Sequence, residues 1–204
     1  MVAQSVYLRG IILKREASGE QFHRLNVLSE TTGNTLVMMR RPKKNIRSGS
    51  TPDLFDDIEA VLDKKGDGGF GFIKEVTILN RRRGLAKSFI ALELACEWST
   101  ILMKNLPRGM EVGSAYQLTE RGLDAWEKRV QPEAVFFKCL FVYARNEGYP
   151  VKYDWFQKLT HQNRITVASI LNTPLNELKM KAEEVRKCND DLKHYIQHHT
   201  DILL

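Results

Sequence analysis

The chain has 204 residues, room for one large domain or two small ones; 43% hydrophobic residues suffice for a packed core, and 27% charged residues is ordinary for a soluble protein. That balance excludes a disordered chain, and the longest apolar run, Ala134 to Ala144, is broken by Lys138 and falls well short of the roughly 20 residues of a membrane span. The net charge of +6 is unevenly spread: residues 1–50 hold nine Lys or Arg against three Asp or Glu, residues 51–80 three against seven, and the remainder nineteen against fifteen.

Val6 to Leu13 alternates with the period of two of a strand and becomes apolar on both faces toward its end. Lys14 to Glu20 reads as a polar turn, Phe22 to Leu28 resumes the extended pattern, and Ser29 to Asn34 is a second turn in which Gly33 supplies a positive φ. A third strand, Asn34 to Met39, leads into the densest cationic stretch of the chain, Arg40-Arg41-Pro42-Lys43-Lys44-Asn45-Ile46-Arg47. After the breakers Ser48 to Pro52, Leu54 to Leu62 reads as a half-buried strand. Leu54, Ile58, Ala60 and Leu62 lie on one face, and Asp53, Asp57, Glu59 and Asp63 form a polar outer side. The glycine-rich Lys64 to Gly71 reads as a hairpin tip, lacking the Gly-Lys-Ser/Thr ending of a phosphate-binding loop, and Phe70 to Leu79 as a fifth strand. Five short strands with a cationic loop predict an oligonucleotide-binding (OB) barrel over residues 1–80. So small a barrel is expected to lean on the remainder of the chain.

The period then changes to three and four. One long helix is expected from Leu85 to Leu106, stopped by Pro107 and Gly109; a second from a capping box at Ser114 and Gln117 to about Val130. A third, from Glu133 to Glu147, is apolar nearly all round and closed by Gly148 and Pro150. Shorter helices over Tyr153 to Leu159 and Asn163 to Leu171 precede a last one that starts at Thr173-Pro174 and is open to a break at Asn189-Asp190-Asp191. The fold class is therefore α+β, a five-stranded OB barrel followed by an all-α domain over residues 81–204.

Met1 to Ser5 lacks the charged and apolar tandem of a signal peptide, so a cytoplasmic protein is expected. Cys96, Cys139 and Cys188, odd in number and far apart, suit buried thiols rather than a disulfide framework or a metal ribbon. Neither a metal nor a cofactor is called for: His194 and His198 are four apart on one helix, but Tyr195 stands where the zinc-protease pattern needs Glu. No Ser, His and Asp grouping has a nucleophile context, and no enzyme is expected.

Arg40, Arg41, Lys43, Lys44 and Arg47 are poor core material and a good phosphate clamp, with a solvated loop as the alternative. Lys14, Arg15 and Arg24 join that surface if the first hairpin lies beside the loop, and Arg81, Arg82 and Arg83 either extend the cationic track or cover the junction with solvated charge. Tyr7, Phe22, Phe70 and Phe72 offer faces on which bases could stack, although core or sheet packing accounts for each more simply.

The leading strand Val-Tyr-Leu-Arg-Gly-Ile-Ile-Leu, the segment Arg24 to Gly33 and the basic Arg40-Arg41-Pro42-Lys43-Lys44 together resemble the N-terminal barrel of the RecO family of bacterial recombination mediators. The order of parts is similar too, with Asn146-Glu147-Gly148-Tyr149-Pro150 at the corner after the third helix and Leu192 to His199 as the terminal helix, so the resemblance covers most of the chain. The family's cysteine-rich zinc module has no counterpart in this chain's unpaired cysteines. The resemblance implies binding of single-stranded DNA, annealing of complementary strands and replacement of single-strand-binding protein by recombinase. The partners it implies are the acidic tail of single-strand-binding protein and the ring-forming mediator RecR. A reading from another class is an adaptor that docks an acidic peptide on its helical domain and touches nucleic acid little.

Overall fold

The computed structural model describes residues 4–41, 51–64, 71–128 and 130–204. They form two compact units, Met1–Arg82 with Leu106–Tyr116 and Arg83–Asn105 with Gln117–Leu204.

The first unit is a closed barrel of β1 (Gln4–Ser18), β2 (Phe22–Ser29), β3 (Gly33–Arg40), β4 (Asp57–Lys64) and β5 (Gly71–Asn80), in the order β1-β2-β3-β5-β4. Every neighbouring pair is antiparallel except β3 and β5, which run parallel through Val37↔Gly71 and Met38↔Phe72; this is the OB fold. Closure rests on the length of β1. Its first half pairs with β4 from Gln4↔Lys64 to Ile11↔Asp57, and its second half with β2 from Ile11↔Leu28 to Ser18↔Phe22. One strand can change partners only where its backbone comes close to both, and Gly10 stands beside that change. A Cβ there would lie 2.3 Å from the Leu28 carbonyl oxygen and 2.7 Å from Val27 Cγ1.

A bulge lies between Ile12 and Lys14, so Ile11, Ile12 and Leu13 are all buried and the outward side resumes at Lys14. The predicted polar turn at Lys14 is therefore strand; the turn proper is Gly19 to Gln21, where Gly19 has φ 62°. Leu8, Ile12, Leu25, Val27, Val37, Met39, Ile58, Ala60 and Leu62 fill the barrel, with Ile73, Val76 and Ile78 against them. Gly33 has φ 63°, as its turn requires, and the Asn34 N–H donates to the Pro107 carbonyl at 3.1 Å.

The fourth strand starts at Asp57, later than its sequence predicts. Leu54 lies in a turn, and Phe55, 1% exposed, takes φ 64°. That left-handed backbone is held on both sides: Phe55 N–H donates to the Ile12 carbonyl at 2.8 Å, and Arg82 donates to the Phe55 carbonyl at 3.0 Å. Asp57, expected on the polar outer side, is instead 9% exposed and bonded to Arg82.

In the second unit are α1 (Phe89–Asn105), α3 (Pro132–Asn146), α4 (His161–Asn172) and α5 (Ala182–His199), with α2 (Gly113–Glu127) preceding α3 in the chain. The first helix does not begin at Leu85. A short 3₁₀ turn, Leu85–Lys87, is followed by Ser88, whose hydroxyl accepts from the Ala91 N–H at 3.3 Å and opens α1 afresh. Phe89 and Ile90, in the first turn of the helix, are 78% and 40% exposed. As predicted, α3 is buried nearly all round; its Phe137 and Phe141 pack with Trp155. The last helix opens at Ala182, because Pro174 heads a turn in which its carbonyl accepts from Glu177 and Leu178. It runs unbroken through Asn189, whose buried amide donates to the Glu133 carbonyl at 3.0 Å. Of the thiols, Cys139 is buried and pushed up to about 12 by desolvation, Cys188 is half-buried, and Cys96, contrary to expectation, is exposed.

No described helix is long and apolar enough to cross a membrane.

Candidate nucleic-acid interface

The turn at Gly19 to Gln21 fixes the register of the first hairpin, so residues equally spaced about Glu20 face one another: Ser18↔Phe22 and Glu16↔Arg24. The β2–β3 pairing carries this across the barrel wall as Phe22↔Arg40 and Arg24↔Met38, and the parallel pairing adds Met38↔Phe72. Leu25, Val37 and Met39 point into the core, so by the alternation of a strand Phe22, Arg24, Met38, Arg40 and Phe72 share the outer face. Phe72 is 41% exposed, and its ring meets that of Phe22 edge-to-face above β3, with centroids 5.7 Å apart. Arg24 and Arg40, both exposed, flank the pair. An aromatic pair bordered by guanidinium groups on the β2–β3 side of an OB barrel combines a surface for stacking bases with charges for phosphates.

Each predicted cation within the described residues has a definite place. Lys14 lies beside Glu16, Nζ to Oε1 2.6 Å, and Arg24 grips the other oxygen of the same carboxylate through Nη2 at 2.6 Å and Nε at 3.2 Å. Hydrogen bonds from Lys14 first and Arg24 second hold the Glu16 carboxyl down at about 2, so it is ionised across the neutral range. Arg15 donates to Asp53 Oδ1 and to the Pro52 carbonyl, both at 3.2 Å, and its Nη2 lies 3.2 Å from His23 Nε2. Burial, with Arg15 and then Arg41 nearby, lowers the pKa of His23.

Arg41 is half-buried. Its backbone N–H donates to the Gln21 carbonyl at 2.8 Å, and its Nε is shielded with no partner among the described residues. Lys43, Lys44 and Arg47 lie outside the described residues, as does Phe70.

Arg81 donates to the Thr51 carbonyl at 3.3 Å and stands 3.9 Å from Asp56, whose pKa burial raises. Arg82 is the clear correction: its side chain is 1% exposed, with Nη1 and Nη2 on the two oxygens of Asp57 at 2.7 and 3.1 Å. It holds the fold and has no surface to offer a ligand. Arg83 is exposed in the second unit, so the Arg81 to Arg83 run divides among three surroundings rather than forming one track.

Of the aromatics, Tyr7 is 84% exposed on the β1–β4 side, opposite Val61, so core packing does not account for it. Two members of the outer face, Glu16 and Met38, were not singled out by sequence reasoning; the spacing of Glu16 and Arg24 about Glu20 was the available signal. No family model matches the chain, and no curated protein matches it.

Proposed function

We propose that this protein binds single-stranded DNA on the outer face of β2 and β3 and, by its resemblance to the RecO family, acts in the cytoplasm as a non-enzymatic recombination mediator. It anneals strands and assists recombinase loading, with the acidic tail of single-strand-binding protein and a RecR-like mediator as partners. The observation that carries the reading is the Phe22–Phe72 pair flanked by Arg24 and Arg40. Bases stack on the rings whatever their identity, and the guanidinium groups neutralise the backbone, so affinity comes with little sequence preference. The cationic run continues in sequence from Arg40 through Lys43, Lys44 and Arg47, which adds positive charge for a polyanion.

One observation favours the adaptor reading: Lys14, Arg15, Arg24, Arg81 and Arg82 already have carboxylate partners within the chain. Fluorescence anisotropy with a labelled oligonucleotide separates the two. Replacing Arg24 and Arg40 together by Gln is expected to weaken binding and to flatten the dependence of log K on log salt by about 1.4, at about 0.7 per phosphate. Identical binding curves for the double variant and the wild type remove this face from the site.

A further inference from the structure

We infer that Lys14 and Arg24 form a single-phosphate subsite on the β1–β2 edge of this face and that Glu16 fills it in the free protein as an internal competitor. The inference rests on the nucleic-acid reading above and deepens it. Two cations on adjacent strands converge on one carboxylate: Lys14 Nζ takes Oε1 at 2.6 Å, while Arg24 takes Oε2 through two nitrogens at 2.6 and 3.2 Å. A guanidinium that grips a carboxylate oxygen in this way can grip a phosphate oxygen with the same donors. The three side chains are within reach of solvent, at 49%, 33% and 49% exposure for Lys14, Glu16 and Arg24, so the cluster is a surface contact that an incoming anion can enter. Surface ion pairs of this kind contribute little to folding. Their geometry therefore has latitude to serve binding.

The subsite is placed to matter. Glu16 faces Arg24 directly across β1 and β2, and Arg24 faces Met38, which in turn faces Phe72. A nucleotide whose base lies on the aromatic pair can set its phosphate toward this edge. Its phosphate takes Lys14 and Arg24 only by displacing the Glu16 carboxylate, whose negative charge must then find a counterion. A free anion without a base to stack gains little from that exchange, whereas a strand already held by Phe22, Phe72 and Arg40 gains a further anchor. Glu16 thus acts as a specificity-determining residue, suppressing the capture of simple anions and favouring polymers that engage the whole face.

The test compares wild type, Glu16→Gln and Glu59→Gln in anisotropy titrations with fluorescein-labelled oligo-dT, over about 50 to 200 mM salt. Glu59 is an exposed carboxylate on β4, opposite Arg9, and its replacement changes the net charge by the same amount away from the face. Removing the charge of Glu16 is expected to tighten binding about five-fold at the low-salt end, the size of one close repulsion in water, and to steepen the salt slope by about 0.7. Glu59→Gln is expected to leave both unchanged. Binding by Glu16→Gln alone, with none by the wild type, also supports the subsite. Wild-type binding with no gain in Glu16→Gln, or an equal gain in Glu59→Gln, overturns it and leaves the nucleic-acid reading intact. No binding by any of the three overturns both.

Discussion

Replacing Arg82 by Ala is expected to destabilise the protein by about 3–5 kcal/mol, the usual consequence of leaving one member of a buried ion pair without its partner. The side chain closes three contacts at once: both oxygens of Asp57, at 2.7 and 3.1 Å, and the Phe55 carbonyl at 3.0 Å. Asp57 is 9% exposed at the mouth of β4, and Phe55 holds a positive φ that a phenylalanine adopts only under constraint. Without Arg82 the carboxylate is stranded and the Phe55 turn loses one of its two tethers. Guanidinium unfolding followed by circular dichroism is expected to show a lower midpoint, read at unchanged slope. Replacing Asp57 by Asn in the same chain is expected to recover part of the loss, because the stranded charge goes with it. A change of less than about 0.5 kcal/mol, the range of an ordinary surface substitution, contradicts the anchoring role.

The second large effect falls on binding alone. Converting Phe22 and Phe72 to Ala is expected to lower affinity for single-stranded DNA by about 1–3 kcal/mol for each base that stacks on the pair, roughly five- to a hundred-and-fifty-fold for one base. Both rings lie on the outer face, with Phe72 41% exposed, so the core of Leu25, Val37 and Met39 is left in place. The decisive readout is the slope of log K against log salt. Removing uncharged rings releases no fewer counterions, so the line is expected to shift downward without tilting, whereas loss of arginines tilts it. A double variant that binds as tightly as the wild type shows that the rings only pack against each other.

The strands of the barrel were legible because apolar residues alternate in most of them, and alternation survives wherever one face is wet. Illegibility began at the bulge. With Ile11, Ile12 and Leu13 all buried, the period of two is lost for one step, and Lys14 to Ser18 looks like a turn although it is the half of β1 that carries the outer face. The break before α1 was hidden in a similar way. Leu85 and Phe89 have helical spacing, but the Ser88 hydroxyl competes for the backbone and starts the helix at its own position. Pairing partners distant in the chain were beyond the reach of any local pattern. Arg82 sits in a triplet that reads as solvated charge until Asp57, twenty-five residues earlier, is seen beside it. Phe22 and Phe72 face outward because of their register, which composition does not encode, while the cationic run at Arg40 and Arg41 was plain from charge density.

A salt series with the wild-type protein and labelled single-stranded DNA tests the electrostatic basis of binding most directly. Neutralisation of six phosphates by Arg24, Arg40, Arg41, Lys43, Lys44 and Arg47, at about −0.7 each, predicts a straight line of log K against log salt with a slope of about −4.2. An anisotropy that stays flat at about 50 mM salt, or an affinity that does not change with salt, contradicts it.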